Sequence, residues 1–223
     1  SMNRPLGAFS LIEMLFVLLL LSLGFVLPKI TDDSLAKAKM QIVNDLRFTR
    51  NLATKDERQA LRNFNQAWDS QAQAEVNAAD MQAWRLQFHT ISNKVEGYVG
   101  TTYSIFAKRP RKNGSIDNKP MGIVSIARNP VNGACLSWYN YGDLPLECRD
   151  IRDERLKIEQ KYGITNVRFV WNTKGCTATH KTLHFDSLGR IYCGTSKLVL
   201  VSSDARIVLE SKKGEIEIKL QEL

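Results

Sequence analysis

Histidine, cysteine and proline are all scarce in this chain: three, four and six among 223 residues. So few imidazoles and thiols leave little material for a metal cage or a nucleophile–base pair. No Gly-x-Ser-x-Gly, no His-Glu-x-x-His and no glycine-rich phosphate loop occurs, which removes the usual sequence signatures of hydrolases, zinc peptidases and nucleotide sites. The ordered Asp/Asn alternation of a calcium loop is missing as well. Asp143, Glu147, Asp150, Asp153 and Glu154 are interleaved with Arg149, Arg152 and Arg155, and read as a solvated charged face. The expectation is a protein that is not an enzyme and needs no cofactor or metal.

Long apolar runs are scarce too, and the one present, Phe9–Leu27, dominates the N-terminal region. At about 1.5 Å per residue it is long enough to cross a bilayer as a helix. Only Ser10, Glu13 and Ser22 in it are polar, and Glu13 is its sole charge. An acid at the centre of an apolar span costs on the order of 2.5–3.5 kcal/mol, so it usually has a partner or a task. Ser1, ahead of Met2, is not counted with the leader. That leader, Met2–Ala8, with one base at Arg4, is too short for a secretory signal peptide, whose apolar core precedes its cut.

The run Gly7-Ala8-Phe9-Ser10-Leu11-Ile12-Glu13-Met14-Leu15 resembles the cleavage and methylation motif of type IV pilins and type II secretion pseudopilins. The resemblance implies a cut between Ala8 and Phe9, placing Glu13 at the fifth position of the mature chain, and N-methylation of Phe9 by a prepilin peptidase. The family's residue before the cut is Gly, here Ala8, with Gly7 one place earlier. It also implies that Glu13 meets the Phe9 amine of its own or a neighbouring subunit and sets register. A second match, Leu183 to Arg190 (LHFDSLGR) followed by a strand pair, is similar to the H-type minor pseudopilin and related minor pilins.

After Pro28 the spacing predicts that the helix resumes. Leu35, Ala38, Ile42, Leu46, Thr49 and Ala53 recur at three and four, while Lys37, Lys39, Asp45, Arg47 and Arg50 fall largely on other faces. One helix from Phe9 to about Thr54 is therefore expected: residues 9–28 as a transmembrane or filament-core stem after the leader 1–8, and 29–56 as its amphipathic half. From Trp84 the period becomes two, with Trp84, Leu86 and Phe88 alternating with Arg85, Gln87 and His89. Strands are expected at 98–107, 121–127, 166–171 and onward, closing on a hairpin around Lys213-Gly214. The fold class expected is α+β: a long N-terminal helix packed on a C-terminal antiparallel sheet or sandwich spanning 57–223.

Cys135, Cys148, Cys176 and Cys193 allow three pairings. The local ones, Cys135–Cys148 and Cys176–Cys193, would close short loops. The rival is zinc on Cys176, His180, His184 and Cys193. Against it, His180 and His184 on one strand would lie about 13 Å apart. A formal charge of +8 favours acidic partners such as nucleic acid or anionic lipid without requiring either. Its densest cluster is Lys108-Arg109-Pro110-Arg111-Lys112, followed by no acid before Asp117, a loop able to grip phosphates.

Together with the resemblance, these features imply a minor pilin or pseudopilin. It would be a structural subunit of a type II secretion pseudopilus or a type IV pilus-like filament, a single-pass inner-membrane protein before assembly with its C-terminal domain in the periplasm. Its partners would be other pilins, the prepilin peptidase and the inner-membrane assembly machinery. The alternative is a DNA-binding minor pilin of a DNA-uptake filament.

Overall fold

A computed structural model describes residues 12, 33–55, 84–95, 98–107, 120, 125–139, 144–179, 181–194 and 198–223. The chain divides into two compact units, Ser1–Asp33 and Ser34–Leu223, and all the described residues except Ile12 and Asp33 lie in the second. That unit opens on helix α1, Ser34–Lys55, and continues with strands β1, Trp84–Val95, and β2, Tyr98–Ala107. Three short helical pieces come next: α2, Leu146–Arg149, a 3-10 turn at Glu154–Leu156, and α3, Ile158–Tyr162. Then come β3, Ile164–Val170, β4, Thr182–Phe185, β5, Ile191–Cys193, β6, Val199–Leu200, β7, Arg206–Ser211, and β8, Gly214–Lys219, closed by a 3-10 turn at Leu220–Glu222.

The strands form two sheets, β2-β1-β4-β5-β6 and β3-β7-β8, antiparallel throughout. Helix α1 packs on β1 and β4 of the first and on β7 and β8 of the second. Its apolar stripe is the expected one: Ala38, Ile42, Leu46, Thr49 and Ala53 are all buried. Ile42 and Leu46 join Leu86, Phe88, Ile105, Val167, Phe169, Leu209 and Ile218 in one core. Each such large aliphatic side chain contributes about 1.5–3 kcal/mol when fully buried. Trp84, Leu86 and Phe88 face this core as their alternation predicts, and β7 and β8 pair in register from Arg206↔Lys219 to Ser211↔Gly214.

The β1–β2 hairpin is covered on its other face too. The free edge of β2 pairs with the 125–139 segment, Phe106 bridging Ile126 and Ser104 bridging Ser137, and Ile126, Cys135, Leu144 and Cys148 form a smaller cluster beside it. Burial on both faces explains why β2 shows no clean alternation: all its residues but Val99 are buried.

Two expectations are corrected. The fold is mainly β, and the unbroken helix from Phe9 to Thr54 is not present: among the described residues α1 is the only helix of more than five residues, and it begins at Ser34. Asp33 lies in the turn before it, and the Asp32-Asp33-Ser34 run is a helix-start signal that the resuming apolar stripe obscured. No helix among the described residues is long and apolar enough to cross a membrane. Helix α1 is too charged for that role, with Lys37, Lys39, Asp45, Arg47, Arg50 and Lys55 along it. The single-pass inner-membrane placement with a periplasmic domain is therefore withdrawn. Of the stretch Phe9–Leu27, only Ile12 lies within the described residues.

Candidate functional site

Helix α1 turns one polar edge toward the segment 153–162, and a polar network forms there. Asp45 lies one residue before Leu46 and three after Ile42, which places it at the margin of the apolar stripe rather than on a solvent face. It is 3% exposed. Its Oδ1 meets Arg155 Nη2 at 3.0 Å, and its Oδ2 accepts a short hydrogen bond from the Tyr103 hydroxyl. Gln41, one turn earlier, donates from Nε2 to the Tyr103 hydroxyl at 2.7 Å and to the Arg155 carbonyl at 2.8 Å. Its Oε1 accepts from the Tyr162 hydroxyl at 2.7 Å and from Lys161 Nζ at 3.3 Å.

Arg155 is held from the other side by Asp153, whose Oδ2 accepts from Arg155 Nε at 2.8 Å and from Asn129 Nδ2 at 2.7 Å. The Asp153 carbonyl accepts from Trp138 Nε1 at 3.0 Å. The Trp138 ring has Arg152 3.9 Å and Lys157 4.0 Å from its centroid. Burial raises the Asp45 pKa even against the pull of Arg155 and the Tyr103 hydrogen bond. Burial and the neighbouring Asp45 raise that of Tyr103 well above the usual phenol range. The cost of desolvating the carboxylate thus outweighs what its partners return.

Beside the network lies an open hollow of about 330 Å³, lined by Glu154, Arg155, Lys157, Gln160 and Lys161. Its cations are already committed: Arg155 to Asp45 and Asp153, Lys157 to Glu154 at 2.5 Å, and Lys161 to Gln41. The bonds of Gln41 and Asp45 to Arg155, Lys161 and Tyr162 clamp α1 to the 153–162 segment.

A second polar cluster runs from His89 Nε2 to Ser104 Oγ at 3.0 Å and on to Ser137 Oγ at 3.0 Å. Burial lowers the His89 pKa to about 3, so the imidazole is neutral near pH 7. Both hydroxyls are shut off from solvent. This chain of bonds ties β1, β2 and the 125–139 segment together.

The turn at 186–190, part of the second family-like stretch, is organised by Asp186. Its carboxylate accepts from Leu188 N at 3.0 Å, Arg190 N at 2.9 Å and Arg190 Nε at 2.7 Å. Gly189, at φ +72°, sits against α1: a Cβ there would stand 2.7 Å from Arg50 Nε and 3.2 Å from Thr54 Cγ2. Gly189→Ala therefore combines left-handed strain with displacement of Arg50. It should cost about 1–3 kcal/mol, read as a fall in the denaturation midpoint at unchanged m-value.

Both local disulfides form. Cys135 and Cys148 have Cα atoms 5.5 Å apart, and Cys176 and Cys193 5.6 Å. Cys176 and Cys193 are bonded to each other and so supply no thiolate to zinc. His184 is buried and hydrogen bonds through Nε2 to the Gly194 carbonyl at 2.9 Å. His180 lies outside the described residues, as do Ala8, Phe9 and Glu13 and the basic loop residues Lys108, Arg109, Arg111 and Lys112.

Sequence reading missed Gln41, Asp45, Tyr103 and Arg155 as a unit. The one available signal was the position of Asp45, four residues before Thr49 on the buried stripe. Compared with family models, curated proteins and solved structures, the chain matches none.

Proposed function

We propose that the protein is a non-catalytic subunit of a pilin- or pseudopilin-type filament and a substrate of a prepilin peptidase. The observation that carries this reading is the Gly7–Leu15 motif, with its lone acid Glu13 at the fifth position counted from Phe9. An acid buried among apolar side chains is costly unless it is paired, and a charge partner at the new Phe9 amine accounts for both its presence and its spacing. Two disulfides in a β-rich unit agree with a protein that folds in an oxidising compartment. The residues gathered at the α1 edge hold elements together, as a subunit loaded by its neighbours requires.

Co-expression with a prepilin peptidase tests the reading. The mature chain should begin at Phe9 and carry an N-methyl group, read by N-terminal sequencing and intact mass. Glu13→Leu should still be cut but should fail to enter filaments, because the register-setting charge is gone. An unprocessed chain, or normal incorporation of the Glu13→Leu protein, would overturn it.

A further inference from the structure

We propose that the outer edge of β8 is a self-association surface, on which a second copy of this chain lays its own β8 antiparallel and joins the two β3-β7-β8 sheets into one. β8 closes its sheet, and no strand lies beyond it among the described residues. Leu220 N donates to the Ala205 carbonyl at 3.0 Å, in step with the Arg206↔Lys219 register. By the alternation of an antiparallel ladder, Ile216 and Ile218 then bond to β7, while the N–H and C=O groups of Glu215, Glu217 and Lys219 point away from it. All three residues are exposed. Sheet edges are ordinarily blunted by shortness, a proline, a bulge, a cover or an inward-pointing charge. β6 has only two residues, β3 carries a register shift between Ile164 and Asn166, and β2 is bridged by the 125–139 segment. β8 has six residues, no proline and an unbroken register, and its inward side chains are Ile216 and Ile218. What remains is its row of outward charges, and that row selects the partner.

Both ends of the row Glu215, Glu217, Lys219 face a like charge within their own sheet. Lys219 lies across from Arg206, and Glu215 across from Glu210, pairings that are unfavourable when directly opposite. Arg168 spans the two acids, 2.8 Å from Glu210 and 3.4 Å from Glu215, and Glu217 meets Arg206 at 3.2 Å. The antiparallel register whose twofold axis passes through Glu217 sets Lys219 of each copy opposite Glu215 of the other, and Ile216 opposite Ile218. Opposite charges then meet at both ends of the strand, and about six backbone hydrogen bonds form between the copies. The two central Glu217 side chains are each held by their own Arg206. An unrelated extended segment would need the same order of charges, which a second copy supplies by symmetry. The contact is isologous and closes as a dimer, whereas a filament needs head-to-tail contacts. The inference therefore does not rest on the filament reading.

The test is the oligomeric state of the full chain, read by sedimentation across a range of concentrations. Glu215→Lys or Lys219→Glu sets like charges at both ends and should weaken the dimer about tenfold or more. An equimolar mixture of these two variant chains should associate again, because every end pair is then opposite in sign. Glu217→Pro removes an outward N–H without touching the β7 ladder. It should leave the chain monomeric, with an unchanged circular dichroism spectrum reporting an intact fold. Under oxidation Glu217→Cys should crosslink two chains, since the paired residues have Cα atoms about 5.5 Å apart, within disulfide reach. Glu215→Cys alone, about 13 Å from its own counterpart, should not. A chain that is monomeric at every concentration would leave the edge to an extended segment of another protein and overturn the proposal. So would association that ignores the charge swaps, a swapped mixture that stays apart, or crosslinking at 215 in preference to 217.

Discussion

Asp45→Ala should destabilise the protein by about 2–4 kcal/mol. Removing one member of a buried ion pair costs about 3–5 kcal/mol because the other charge stays behind. Arg155 keeps 27% of its side-chain exposure, so solvent recovers part of that. The fully buried Tyr103 hydroxyl loses its carboxylate acceptor at the same time. At about 2–4 °C per kcal/mol for a unit of this size, the thermal midpoint should fall by roughly 5–15 °C. Replacing the whole buried set by apolar groups removes the desolvation cost along with the polar bonds. Asp45→Leu, Tyr103→Phe and Arg155→Met together should therefore recover most of the loss. A triple variant as unstable as the sum of its singles would contradict the mutual dependence of these polar groups.

Loss of the Cys135–Cys148 bridge should be comparably severe. The described residues between 125 and 153 carry little regular structure: they are joined by single bridges, Phe106↔Ile126, Ser104↔Ser137, Arg128↔Cys135 and Cys135↔Arg152. Cys135 N donates to the Ile151 carbonyl at 2.7 Å, and Asp153 N to the Cys135 carbonyl at 3.1 Å. The disulfide pins this centre to α2. Closing a loop of this size is worth about 3 kcal/mol through the unfolded chain, with losses of 2–5 kcal/mol typical of native bridges. Serine at both positions should lower global stability by that amount and speed amide exchange across 134–153. Serine at Cys176 and Cys193 should act more locally, exposing the amides of β5 and β6, because those strands are short and close the end of their sheet. Unfolding curves unchanged by reductant would refute both expectations.

Much of the strand content was legible because it obeys local rules. Trp84, Leu86 and Phe88 alternate because one face of β1 meets the main core, and Lys213-Gly214 sits at a hairpin because Ile216 and Ile218 resume the period beyond it. The disulfides followed from loop length. The described parts of 125–153 were opaque for a physical reason: they are tied by isolated bridges, a crosslink and the Trp138–Asp153 hydrogen bond, none of which has a period. The start of α1 was missed because its apolar stripe begins at Leu35, directly after the Asp32-Asp33-Ser34 run, and was read as a continuation of the apolar segment before Pro28. The Asp45 network was missed because it joins residues more than fifty positions apart, and composition treats a lone helical acid as solvated.

Helix α1 packs against β7 and β8 as well as β1 and β4, and this sets an order of events during synthesis. The helix leaves the ribosome early, whereas the Gly214–Lys219 strand that covers part of it comes about 160 residues later. At about 5–20 residues per second, the apolar stripe of Ile42 and Leu46 waits roughly 10–30 seconds for its second sheet. Local contacts cannot shorten that wait, because the closing contacts span nearly the whole unit and such topologies fold slowly. The nascent chain is therefore at its stickiest well before it is finished, and its yield depends on keeping α1 covered until the last hairpin arrives.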